Sequence, residues 1–323
     1  MFVFLGLVLG LSLLIGGGFL LVKGSSGIAA RFNVSPMIVG LTIIAFGTSA
    51  PELIIGILAA LRDQSDIVFG NVVGSNIANL GLVLGIAAVV RPIEIHGQIV
   101  RRELPLLLLA TGVIVVMALD PLLRGMSPVL DRSDAIILLF LFFVFFYVTA
   151  LDVLHRRSSD SLLSDMDSSP LVPVESPATY DWVSVALGLV GLFLGGQLTI
   201  SNGVELAALL DVSGTIVGLF VFAVGTSLPE LVTSVIAAIR REPDLALGNV
   251  IGSNLFNSLA VLPISAVIRP VGVPSGGMLD LSVSFLFAAA LIPIFWIGRA
   301  RLGRRVGWLL LFCYGVYVLG RVL

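Results

Sequence analysis

The chain is poor in the residue types from which most soluble sites are built. It holds one cysteine, Cys313, set in an apolar run near the C-terminus. A single cysteine excludes an internal disulfide and any cysteine-based metal cluster. Its two histidines, His96 and His155, both fall in segments that read as loops, so no imidazole site and no paired His–nucleophile arrangement is on offer. Charge is scarce as well. Only 12% of the 323 residues are charged and 58% are hydrophobic, whereas a soluble domain carries roughly 25% charged residues. Such a chain cannot build a water-facing exterior. It reads as an all-α, polytopic membrane protein whose constant partner is the lipid bilayer, with no feature that calls for nucleic acid or an obligatory protein partner.

What is abundant is apolar sequence, in runs near the roughly 20 residues that a spanning helix needs. Ten such runs are legible, at roughly 2–22, 34–60, 67–89, 104–119, 134–154, 181–200, 212–239, 245–267, 280–298 and 306–322. The first lacks the basic start and small-residue cleavage site of a signal peptide and reads as a helix. Lys and Arg favour the cytoplasmic side of a membrane. Assigned to alternate loops, 13 of the 18 basic residues fall on one side, which puts both termini outside the cytoplasm of a cell (inner or plasma) membrane. The one long polar stretch, 155–180, is dominated by Ser, Pro and Asp. It lacks the ligand spacing of a calcium loop and reads as a flexible cytoplasmic linker between residues 1–154 and 181–323, five helices each.

The halves repeat one another. Shifted by 178 residues, GTSAPELIIGILAALRDQSDIVFGNVVGSNIANL (47–80) falls on GTSLPELVTSVIAAIRREPDLALGNVIGSNLFNS (225–258) without a gap, with 17 of 34 positions identical. Five helices per half is an odd number, so the second half must enter the membrane from the opposite face. Two inverted-topology five-helix repeats are an architecture of secondary transporters, whose site lies between the repeats near the midplane.

Each repeat carries one carboxylate deep in apolar sequence, Glu52 and Glu230, with no basic residue deep enough to pair with it. An intramembrane carboxylate without a partner marks a functional site. Thr48 and Ser49 precede Glu52 by four and three positions and share its helix face, as Thr226 and Ser227 do for Glu230. Gly47 and Pro51 interrupt helical hydrogen bonding and free backbone carbonyls, such as those of Ala45 and Thr48, with Ala223 the counterpart of Ala45. The next helix of each repeat adds Ser75 with Asn79 and Ser253 with Asn257. Gly70, Gly74, Gly248 and Gly252 allow close helix packing, while Asn71, Asn76, Asn249 and Asn254 suit interhelical hydrogen bonds at least as well as ion contact. Carboxylate, hydroxyl, amide and carbonyl oxygens, without nitrogen or sulfur, suit a hard cation such as Ca²⁺. Two carboxylates offset one Ca²⁺ or two Na⁺.

GTSAPE…GNVVGSNIAN and GTSLPE…GNVIGSNLFN resemble the two alpha-repeats of the sodium/calcium exchangers, within the calcium/cation antiporter superfamily. The resemblance covers both halves. It implies ten helices with external termini, and an ion cavity between the second, third, seventh and eighth. It implies an antiporter exchanging Ca²⁺ for more than two Na⁺ by alternating access, with no cofactor and no enzymatic activity. By motif position Glu52 and Glu230 would be the central ligands. Thr48 and Thr226 would give carbonyl oxygens, Ser49, Ser75, Ser227 and Ser253 would line sodium sites, and Asn79 would complete the first half. Asn257 stands where potassium-dependent and some microbial relatives carry Asp, which argues against potassium cotransport. The superfamily also holds proton-coupled and other-cation antiporters, and a passive cation channel could use the same ligands.

Overall fold

The computed structural model describes residues 2–94, 102–123, 125, 127–163, 177–209, 225–297 and 301–322. In order, they form α1 (Phe2–Phe32), α2 (Pro36–Val39), α3 (Ala45–Thr48), α4 (Ala50–Leu61), α5 (Ser65–Ala78), α6 (Leu84–Val90), α7 (Glu103–Met117), α8 (Asp120–Leu123), α9 (Arg132–Leu163), α10 (Ala178–Leu209), α11 (Leu228–Ile239), α12 (Pro243–Phe256), α13 (Leu262–Ile268), α14 (Gly277–Ile297) and α15 (Arg304–Val322). Single π-helical turns at Gly40–Ile44, Asn79–Val83 and Asn257–Val261 join α2 to α3, α5 to α6 and α12 to α13. Among the described residues six helical spans are long and apolar enough to cross a membrane, and α2–α4, bent by 44°, make a seventh if taken as one span. The protein is thus a predominantly helical, multi-pass membrane protein.

Several helices outrun their apolar runs. α1 continues through Lys23 to Phe32, α10 reaches Leu209, and α9 runs to Leu163, into the stretch read as linker. His155 therefore sits on helical backbone rather than in a loop, while His96 and the linker residues 164–176 lie outside the described residues. Hydropathy marks the thickness of the bilayer, and a helix whose backbone bonds are internal does not stop at that boundary.

Elements of the two halves match at the repeat offset, down to turns. The turn after α4 holds Asp63 at positive φ (59°) and the turn after α11 holds Arg241 (φ 65°), 178 positions later. In each turn the next amide reaches back to the helix, Gln64 N–H to the Ala59 carbonyl and Glu242 N–H to that of Ala237, both at 2.9 Å. The duplicated turn carries opposite charges in its two copies.

Lipid gives helices no hydrophobic drive to associate, so close contact decides the packing. α1 lies along α10 over most of its length. A Cβ built on Gly17 would stand 2.7 Å from Leu192 N, and one on Gly188 2.6 Å from Leu21 N. The approach of α12 to α2–α3 is as tight, with a Cβ on Gly248 only 2.7 Å from the Met37 carbonyl oxygen. Gly252 is pressed likewise against Leu41 and Ala45. Gly70 and Gly74 differ from the expectation, since nothing described stands within 4 Å of a Cβ on either. The repeat equivalent of the 37–45 segment that covers Gly248 and Gly252 is 215–223, which falls outside the described residues.

Contacts between helix ends form two sets. In one, strand β1 (Ile93–Glu94) pairs with strand β4 (Arg301–Leu302), Ser26 Oγ donates to Glu242 Oε1 at 2.8 Å, and Arg31 pairs with the buried Asp181 at 3.0 Å. In the other, β2 (Val129–Leu130) pairs with β3 (Val271–Gly272), Arg269 grips Asp63 through two 2.7 Å hydrogen bonds, and Arg321 pairs with Asp280. The Arg269–Asp63 pair is more than half exposed on both sides, so it contributes only about 0–1 kcal/mol.

Candidate ion-binding site

Glu52 and Glu230 occupy equivalent places in the first turns of α4 and α11, just past a break in the chain. Each break begins with a serine, Ser49 or Ser227, whose backbone (φ −87°, ψ 5° and φ −86°, ψ 7°) leaves the helical region. Proline at the second position of the new helix removes the amide that would bond back one turn, so the carbonyls of Gly47 and Gly225 lose their i+4 donor. The break also starts a helix within the protein interior, with its positive end beside the carboxylate.

Both carboxylates are fully buried, at 0% exposure. Glu52 Oε1 accepts from Ser75 Oγ at 3.4 Å, and Ser75 Oγ lies 3.1 Å from Thr226 Oγ1. Glu230 Oε1 accepts from Ser49 Oγ at 3.0 Å and from Ser253 Oγ at 3.5 Å. Ser253 Oγ lies 3.4 Å from Thr48 Oγ1, which donates to Asn249 Oδ1 at 3.1 Å. Each glutamate is thereby held by its own repeat and linked to the other. The backbone around it is fixed symmetrically too, Asn71 Nδ2 donating to the Glu52 carbonyl at 3.1 Å and Asn249 Nδ2 to that of Glu230 at 3.2 Å. Asn76 donates across the repeats to Ser258 Oγ at 2.9 Å, whereas Asn254 bonds Val250 within its own helix. Asn71, Asn76 and Asn249 thus bond between helices, while the Oδ1 atoms of Asn71, Asn76 and Asn254 make no hydrogen bond with a described residue.

The remaining polar atoms of the cluster are without protein partners. Oε2 of Glu52 and of Glu230, Ser227 Oγ and both amide atoms of Asn79 and Asn257 are buried and make no hydrogen bond with a described residue. An unpaired buried polar group costs about 1–3 kcal/mol, so each of these atoms calls for a partner other than the described residues. Neither carboxylate forms an ion pair with a described residue. Among the described residues no cluster of three or more His, Cys, Asp or Glu exists, so an ion here would draw the rest of its shell from neutral oxygens.

Asn79 and Asn257 each open a π-helical turn, one helical turn beyond Ser75 and Ser253 on the same face. The π-turn displaces the backbone register and is frequent at functional sites. Sequence reasoning found the asparagines and missed the turns. It also missed Ser258 and Ser234, because their repeat counterparts are Leu80 and Gly56 and repetition does not flag them. The Ala45 carbonyl was expected to be freed. It instead accepts Ser49 N–H at 3.0 Å and lies 3.4 Å from Thr48 Oγ1, so only its second lone pair could reach an ion. Ala223 lies outside the described residues.

A family model described as sodium/calcium exchanger protein matches residues 2–151 and 180–323. Among curated proteins, the chain is 36% identical to inner membrane protein YrbG of Escherichia coli over 94% of its own length and 92% of that protein. It is 31% identical to the sodium/calcium exchanger MaX1 of Methanosarcina acetivorans over 91% of each chain. A solved structure of the sodium-calcium exchanger NCX_Mj, soaked with Na⁺ and Ca²⁺, superposes with a TM-score of 0.81 at 28% identity, covering 99% of this chain and 98% of that one.

Proposed function

Because this chain belongs to the sodium/calcium exchanger protein family, a family of transporters, we propose that it exchanges Ca²⁺ for Na⁺ across the cell membrane by alternating access. The observation that carries the reading is the pair of fully buried carboxylates, each with one oxygen that makes no hydrogen bond with a described residue, as the side chains of Asn79, Asn257 and Ser227 make none. Glu52 and Glu230 bind Ca²⁺ centrally. Thr48, Thr226, Ser49, Ser227, Ser75, Ser253, Asn79 and Asn257 supply neutral oxygens, and the backbone at Ala45 and Ala223 supplies carbonyls to the same shell.

Coupling follows from charge. Two buried carboxylates carry −2, and an isolated charge in a low-dielectric interior is strongly unfavourable. The empty, ionised pair resists burial, so the chain interconverts between its two faces only with one Ca²⁺ or with Na⁺ in the site. Exchange rather than leak is the result, which separates the carrier from a passive channel.

The same reading takes the architecture to ten spanning helices in two inverted repeats, 1–154 and 181–323, joined by a cytoplasmic linker at 155–180. The seven spans are completed by α7, α11 and α15 as parts of the fourth, seventh and tenth. The two sets of end contacts support it. Every one joins loops that the basic-residue count puts on one side, and the duplicated turn carries Asp63 where that count predicts outside and Arg241 where it predicts inside. Both termini are then extracytoplasmic.

The test is ⁴⁵Ca²⁺ uptake into proteoliposomes driven in turn by outward Na⁺, H⁺ and K⁺ gradients. Uptake with Na⁺ alone is expected. Uptake driven only by H⁺ would make the protein a proton-coupled antiporter, and uptake without any counter-ion gradient would make it a channel.

A further inference from the structure

A second site for charge lies at the opposite extreme from the buried carboxylates. A cleft of about 660 Å³ is lined by Arg91, Arg241, Arg301 and Arg304, with no carboxylate among the described residues that line it. Three separate segments build it, after α6, after α11 and before α15, and the β1–β4 pairing holds two of them together. Among the described residues Arg91, Arg241 and Arg304 form no ion pair. The neighbouring Glu242 is turned to Ser26, which donates to its Oε1.

Two further features bear on what the cleft would take. α15 begins at Arg304 with no acidic residue in its first turn, so its unpaired amides add to the positive potential at the cleft. Arg241 is one of three described non-glycine residues at positive φ, a conformation that costs an ordinary side chain about 1–2 kcal/mol. Its repeat equivalent, Asp63, uses the same turn to pair with Arg269, whereas Arg241 holds a guanidinium at the cleft without such a partner. The apolar rim is open: Ile239 and Val90, at the ends of α11 and α6, are 58% and 39% exposed. Cations beside exposed apolar side chains at the end of a helical bundle match the boundary between phosphate headgroups and acyl chains.

We propose that this cleft binds a phosphate group, that of an anionic phospholipid headgroup, with Arg91, Arg241, Arg301 and Arg304 as its ligands and the acyl chains passing over Val90 and Ile239. The bound headgroup clamps three segments that are far apart in sequence, on the face that carries most of the basic loops.

The test is native mass spectrometry of the purified full chain after delipidation, titrated with phosphatidylglycerol, phosphatidylcholine or inorganic phosphate. The comparison is among wild type, Arg91→Gln/Arg304→Gln and, as a control at the other end of the bundle, Arg62→Gln, each confirmed monodisperse by gel filtration. Wild type and the Arg62 variant are expected to retain phosphatidylglycerol in preference to phosphatidylcholine, and the double variant to bind it about tenfold more weakly or worse. Binding of inorganic phosphate that the double variant loses, without preference for the lipid, keeps the phosphate site and assigns it a soluble anion. Equal phosphatidylglycerol binding by all three proteins, or no binding of either anion by wild type, overturns the proposal. If the double variant is not monodisperse, Arg91→Lys/Arg304→Lys replaces it: retained charge must retain the lipid, and loss of the lipid there also overturns the proposal.

Discussion

Glu52 and Glu230 each spend one carboxylate oxygen on serine hydroxyls and hold the other without a hydrogen-bond partner among the described residues. A cation needs that oxygen, so Glu52→Gln and Glu230→Gln are expected to leave a folded protein whose Na⁺-driven ⁴⁵Ca²⁺ uptake falls at least a hundredfold, because the amide keeps the shape and removes the charge. Near-normal uptake by either variant would remove that residue from the site. Protons compete for the same oxygens, so uptake should fall as the pH is lowered, when the protonated form no longer offsets Ca²⁺. Asn257 bears on a second ion. Ca²⁺ with K⁺ brings three positive charges against two carboxylates, and Asn79 and Asn257 are equivalent amides that no third carboxylate joins among the described residues. Uptake should therefore be unchanged when K⁺ is replaced by choline, and Asn257→Asp should tighten cation or proton binding. Collapse of wild-type flux without K⁺ would contradict the charge argument. At this scale the burial of Glu52 and Glu230 was legible in the sequence, since a glutamate inside an apolar run stands out by residue type alone. Which hydroxyl serves which glutamate was not legible, because Ser49 reaches Glu230 rather than its own helix's Glu52, a pairing fixed by tertiary packing.

The elements carry the site by being broken at chosen points. Pro51 and Gly47 foretold the bend between α3 and α4, since both act on the local backbone. The π-turns opened by Asn79 and Asn257 were not foretold, because one extra residue in a turn leaves the hydropathy of a buried helix unchanged. Packing against these interrupted helices depends on small residues. Gly248→Ala would drive a methyl to within 2.7 Å of the Met37 carbonyl oxygen and separate α12 from α2–α3, and with it Ser253 from Thr48. It is expected to destabilise by about 1–3 kcal/mol and to lower Ca²⁺ uptake at least tenfold at equal expression. Gly315→Ala on α15, where nothing stands within 4 Å of the new methyl, should leave both unchanged. Equal behaviour of the two variants in a thermal-shift and flux comparison would remove close approach as the factor that positions the site.

Across the whole molecule, the proposed threading of the membrane rests on the duplication and the basic-residue count, and each described end contact joins loops that the count puts on one side. Helix ends were the poorly legible part: apolar length follows the bilayer, while α1, α9 and α10 extend past it. Sidedness is checked by single cysteines placed at Arg62, Arg305 and Gly320, all exposed, in a Cys313→Ser background. A membrane-impermeant maleimide should label positions 62 and 320 from outside intact cells and position 305 only after permeabilisation. Labelling of all three from one side would refute the inverted repeat. The central claim is that Ca²⁺ and Na⁺ compete for one site shared by the two repeats, and equilibrium binding of ⁴⁵Ca²⁺ to purified protein tests it most directly. The account predicts one Ca²⁺ per chain, displaced by Na⁺ with a Hill coefficient above one and abolished in Glu52→Gln and in Glu230→Gln alike. Ca²⁺ that stays bound at saturating Na⁺, or that survives the loss of either glutamate, would contradict it.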